Sequence, residues 1–235
     1  MIGGSGPNSF ARTRYAWIGG IVFVVFLVAE AVASLAIKAN QDDSASKIAG
    51  QLADHRSTLI LAACLSIVYA VGFVVYLARL HEFLRSDTGQ PRFLISWVLI
   101  GGVLFVSLHA VSDIAIYGML GAKIAAYSAQ HDEGLAYMLY LLTFALDSVG
   151  DIFASLFMLA AGLQVLASRA FPRWLGWLAV AASPFLFFQG FGLGGVIASF
   201  GLVLDLIGFL LLLIFVFASS ILGVSRHGVL ANASQ

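Results

Sequence analysis

Glu30, His109, Asp113, Asp147, Asp151 and Asp205 each stand inside a run of apolar residues. An ionisable side chain at the centre of a membrane span costs roughly 2.5–3.5 kcal/mol on insertion scales, so each of these needs a reason to be there. No lysine or arginine lies deep enough in the same runs to neutralise them. His109 and Asp113 are four residues apart, as are Asp147 and Asp151, so on helices each pair shares a face. At the helical rise per residue, Glu30, His109, Asp113, Asp147 and Asp205 fall about 8–17 Å below the same end of their spans, and Asp151 about one turn deeper.

Three chemistries fit these residue types. Clustered carboxylates can bind a cation or relay protons, because like charges without counter-charges hold protons between them. This makes the chain a small-ligand or cation-binding, transport-related protein, or a subunit of a membrane complex. His109, Asp113, Asp147 and Asp151 could instead ligate a divalent metal whose bound water attacks a lipid-like substrate, which would make the chain a membrane-embedded hydrolase. Zinc sites of that kind commonly carry more than one histidine, and no HExxH pattern occurs. The acids could also be structural, bonded to Ser112, Ser148, Ser155 or Ser199 on facing helices. Bis-histidine haem lacks a second deep histidine and retinal lacks a deep lysine, while His55, His81, His131 and His227 fall in loops or at interfaces.

Such a site needs a scaffold, and the composition dictates a membrane one. The 235 residues are 61% hydrophobic and 10% charged, with a mean hydropathy of +0.99. Soluble domains carry roughly 25% charged residues, so this chain lacks the polar surface to cover itself in water. Zero formal net charge argues against nucleic acid, and the single cysteine, Cys64, excludes an internal disulfide. Membrane lipid is the certain neighbour; a homo-oligomer or a membrane-complex partner stays open.

About 20 apolar residues cross the bilayer core as a helix. Six segments qualify, approximately 15–37, 58–80, 93–119, 138–166, 174–191 and 196–222, which predicts an all-α transmembrane bundle over 15–222. Arg12 and Arg14 ahead of the first run resemble the start of a signal peptide, but its length and Glu30 mark it as an uncleaved span. The fifth segment contains Pro184 and ends in Gly190, Gly192, Gly194 and Gly195, so a kinked or partly re-entrant path competes with a straight crossing, and the turn into the sixth is very tight. One side of the membrane collects Arg12, Arg14, Arg79, Arg85, Arg92, Arg169, Arg173 and Arg226, the other only Lys38, Lys47, Arg56 and Lys123 among Asp42, Asp43, Asp54, Asp132 and Glu133. The positive-inside rule then puts residues 1–14 and 223–235 in the cytoplasm, as tails, and the acidic pocket toward the outside. Between spans, residues 40–57 begin with capping residues and set Ile48 and Leu52 on one face, as in an amphipathic helix lying on the outer surface or a plain solvated one. Residues 120–135 read as a second outer loop, and the chain from Arg226 as a disordered tail.

Pro91-Arg92-Phe93-Leu94-Ile95-Ser96-Trp97 opens the third span and Pro172-Arg173-Trp174-Leu175-Gly176-Trp177 the fifth. Proline at a first helical turn, arginine at the interface and tryptophan in the headgroup belt could each arise alone, or the match could mark a duplicated hairpin. The amphipathic segment, the second span's end Leu80-His81-Glu82-Phe83-Leu84-Arg85, and Ser168-Arg169-Ala170-Phe171-Pro172-Arg173-Trp174-Leu175-Gly176-Trp177 together resemble a family of bacterial six-helix membrane proteins classified as a domain of unknown function (DUF). The likeness covers most of the chain. It implies a bacterial plasma (inner) membrane location and brings no catalytic residues with it.

Overall fold

A computed structural model describes the backbone of residues 7–40, 42–85, 92–168, 170–190 and 198–232, and side chains within 15–40, 42–85, 93–168, 170–190 and 206–225. The glycine turn at 192–195 and the side chain of Asp205 lie outside the described residues.

All described regular structure is helical: α1 (Pro7–Ser34), α2 (Ala45–Asp54), α3 (Arg56–Arg85), α4 (Arg92–His109), α5 (Ala125–His131), α6 (Glu133–Ser168), α7 (Arg173–Gly190) and α8 (Ala198–Asn232). Two π-helical segments, Ala110–Tyr117 and Leu120–Ile124, join α4 to α5. Five stretches are long and apolar enough to cross a membrane: Tyr15–Ser34, Arg56–Arg85, Phe93–His131, Glu133–Ser168 and Leu206–Ser225. Their outer faces are lined with exposed apolar side chains, among them Val25, Val32, Ile60, Val71, Ile100, Val103, Leu210 and Ile214. Such a surface suits lipid and not water.

The six long helices close a ring in which α1, α3, α4, α6, α7 and α8 each pack on the next and α8 returns to α1. Without a hydrophobic drive between helices in lipid, small residues must let the backbones approach. A Cβ at Gly19 would stand 2.6 Å from the Gly72 carbonyl oxygen, where α1 crosses α3. On α6 and α7 the small residues pair every seven positions in antiparallel register. Gly162 faces Gly176, the Ser155 hydroxyl lies 3.4 Å from that of Ser183, and Gly190 abuts the Ser148 carbonyl.

Three elements differ from the sequence reading. Ile48, Ala49 and Leu52 of α2 are fully buried against Leu59, Ile116, Leu120, Ala125, Ala136 and Tyr140, so α2 caps the bundle and does not lie on lipid. Ser44 caps its first turn, and Lys47 beside Asp43, at 2.7 Å, holds that carboxyl below the usual carboxylate range. The expected loop at 120–135 is mostly helix. Gly121 packs against Ile60, Arg56 Nε donates to the Gly121 carbonyl at 3.3 Å, and Leu120, Ala125 and Ser128 are buried there. The last helix continues to Asn232, through the stretch expected to be a disordered tail.

Candidate functional site

The third membrane-spanning stretch, Phe93–His131, sets the site. His109 ends α4, and its Nδ1 lies 3.0 Å from the Phe105 carbonyl one turn back. A carbonyl cannot donate, so Nδ1 carries the hydrogen. The π segment begins at the next residue, and its wider turn puts Ser112, Asp113 and Ile116 together in the interior. π turns inside longer helices occur often at functional sites.

Asp113 is 8% exposed. The Tyr69 hydroxyl of α3 donates to its Oδ2, and the hydroxyls of Ser66 and Ser112 flank the same carboxyl. Ser112 Oγ also lies 3.4 Å from the Thr143 carbonyl of α6, tying the π segment to that helix. Glu30 of α1, equally buried, accepts a 2.6 Å hydrogen bond from Ser34 Oγ and lies within electrostatic range of Asp113. Among the described residues, neither carboxyl has a lysine or arginine beside it. Asp147 shares the field: it and Glu30 both act on Tyr69 and on the half-buried Tyr117.

The second half of the site joins α4 to α6. His109 Nε2 stands 3.6 Å from Asp151 Oδ1. A Cβ at Gly150 would lie 2.5 Å from His109 Cε1 and Nδ1, so this glycine makes room for the imidazole. With Nδ1–H directed at Phe105, Nε2 offers Asp151 a lone pair. Facing acceptors at this distance are stable when a proton resides on one of them, as imidazolium with carboxylate or as imidazole with carboxylic acid.

Below the acids, Phe23, Phe73, Phe105, Phe157 and Phe215, from α1, α3, α4, α6 and α8, form a chain of ring contacts with centroids 4.8–6.4 Å apart. These rings separate the acid cluster from the end of the bundle that holds the start of α1. On that side the next polar contact is Tyr76 Oη with Ser219 Oγ at 2.7 Å.

Of the six residues singled out from the sequence, Glu30, His109, Asp113, Asp147 and Asp151 all fall in this region. Asp205 is on α8, with its side chain outside the described residues. Tyr69 and Tyr117 were not anticipated, nor was a contribution from α3. Ser155 Oγ lies 3.4 Å from Ser183 Oγ of α7. No three of the described histidine, cysteine, aspartate and glutamate side chains are grouped so as to hold a metal ion.

Ring and buried acids define a polytopic α-helical membrane protein with an ionisable site inside the bundle. No curated protein and no solved structure matches it. The model of the domain of unknown function DUF4386 matches residues 18–224, and the chain belongs to that family.

Proposed function

We propose that this chain is a six-span protein of the bacterial plasma membrane, both termini cytoplasmic, whose acid cluster takes up and releases protons in the outer half of the bilayer. The carrying observation is the His109–Asp151 pair, two facing acceptors 3.6 Å apart that one added proton would draw together. Asp113 extends the site, since a carboxyl held by tyrosine and serine hydroxyls can exchange a proton along them. The missing three-ligand group among the described residues favours this reading over the metal-dependent hydrolase. The aromatic rings beneath the cluster support access from one side in this conformation.

The test is proton uptake by the purified protein when the pH is dropped from about 8 to about 5, across the histidine range. Wild type should take up about one proton more than His109→Gln or Asp151→Asn, and the double variant should lose no more than either single one, because each single variant already removes one side of the shared proton site. Equal uptake by wild type and all three variants sinks the proposal. A second reading has its own support: Tyr69–Asp113 locks α3 to the π segment. It prevails if Asp113→Asn and the pair variants lower thermal stability and leave proton uptake unchanged. Proton flux into liposomes that Asp113→Asn abolishes would place the site in transport.

A further inference from the structure

Away from the acid cluster, at the opposite end of the bundle, a cleft of about 190 Å³ opens between the end of α3 and the start of α4. His81, Arg85, Ile95 and Ser96 line it. Arg85 and Ser96 are exposed, His81 is half-buried, and Ile95 is buried. Among the described residues, the nearby acid Glu82 is engaged elsewhere: Arg79 Nη1 donates to its Oε2 at 3.2 Å, and that guanidinium lies 5.7 Å over the Trp17 ring. The cleft therefore presents a fixed positive charge from Arg85, ring nitrogens from His81 and a hydroxyl from Ser96.

Its height in the bilayer follows from its neighbours. Between Leu59 and Ala78, α3 carries no charged residue; Arg79, His81, Glu82 and Arg85 then follow in quick succession. Phe93, exposed and edge-on to Trp97 at 5.8 Å, flanks the α4 side. Charge after an apolar stretch, beside aromatic rings, marks the headgroup level. Toward the bilayer centre the same two helices expose Val71, Val74 and Val75 on α3, and Leu99, Ile100 and Val103 on α4.

We infer that this cleft binds the phosphate headgroup of an anionic phospholipid, with the acyl chains lying on the apolar faces of α3 and α4. Arg85 supplies the charge and a forked donor for phosphate oxygens. Ser96 and His81 can add hydrogen bonds, and basic pockets between helices are known to take such headgroups. A free phosphate would use the cleft alone and gain nothing from the apolar faces, whereas a lipid uses both.

The experiment is a thermal-shift titration of the full chain in neutral detergent micelles, adding phosphatidylglycerol, phosphatidylcholine or inorganic phosphate. Phosphatidylglycerol should raise the melting temperature at concentrations where the other two do not. Arg85→Gln should need about fivefold more of it for the same shift, as expected for one charge near an anionic headgroup. Arg173→Gln removes a positive charge at the same end but outside the cleft, and should titrate as wild type. Equal shifts from both lipids, equal protection by inorganic phosphate, or equal losses from Arg85→Gln and Arg173→Gln would each overturn the inference. If Arg85→Gln does not fold, His81→Gln with Ser96→Ala replaces it, with the same expected loss; a wild-type titration from that pair overturns the inference as well.

Discussion

Gly150 carries no functional group, yet it positions the group on which the proton reading depends. A methyl there would meet the His109 ring 2.5 Å away, at two of its atoms. The ring cannot retreat freely, because Nδ1 is bonded to Phe105 and the Phe105 ring packs on it at 4.6 Å. Gly150→Ala should therefore cost about 1–3 kcal/mol, the usual range for overpacking a filled interior. It should also separate His109 from Asp151, so that proton uptake falls along with the melting temperature. A variant that loses stability and keeps uptake would show that the ring moves without breaking the pair. The acids and the histidine were legible because charge inside an apolar run is expensive and therefore conspicuous. Tyr69 and Tyr117 were not, since a tyrosine in a membrane helix is affordable whether or not its hydroxyl meets a carboxyl. Gly150 is one of 24 glycines, and only the imidazole beside it sets it apart.

At the scale of elements, periodicity revealed that α2 is an amphipathic helix but not what its apolar face touches. Ile48 and Leu52 on one face suit a lipid surface and a protein surface equally well. The answer depended on the third spanning stretch continuing to His131, and residues 120–135, with Lys123 and several small side chains, do not announce a helix. Once it continues, α2 has a platform of Leu120, Ala125 and Tyr140 to cover. Tyr140 Oη fixes the approach by donating to the Ala39 carbonyl at 2.7 Å. Leu52→Asp removes burial worth about 1.5–3 kcal/mol and puts a charge in its place. The expected result is local opening of α2, seen as trypsin cleavage after Lys47 and Arg56 more than about tenfold faster than in wild type. The melting temperature of the ring should change little. If α2 rested on lipid instead, the same variant would release it from vesicles, and detergent-solubilised wild type would already be cut at the fast rate.

For the whole molecule, the open question is the side on which the chain ends. Five stretches pass as membrane-spanning on length and hydropathy, and five crossings would leave the termini on opposite sides. α7 is the element in dispute: it has 18 residues, begins with Arg173 and contains Pro184. At the helical rise it is about 27 Å long, close to the thickness of the hydrocarbon core. Its contacts with α6 run from Gly176 at one end to Gly190 at the other, against Gly162 and Ser148. Packing along its full length, antiparallel to a candidate spanning helix, is what the proposed crossing by α7 requires. Exposed Trp174 and Trp177 at its start then sit at the interface where tryptophan is favoured. α7's modest hydropathy has a physical cause, since one of its faces meets α6 and α8 and needs small residues rather than large apolar ones. These contacts support the proposed sixth crossing, which would put both ends on a single side. The check uses a Cys64→Ser background with one cysteine returned at Ser9, Ser46, Ser168 or Ser234, and a maleimide that cannot cross the membrane. In intact cells Ser46→Cys should label, while Ser9→Cys, Ser168→Cys and Ser234→Cys should label after the membrane is opened. Labelling of Ser234→Cys alongside Ser46→Cys in intact cells would mean that α7 does not cross, and the acid cluster would then need a different route to water.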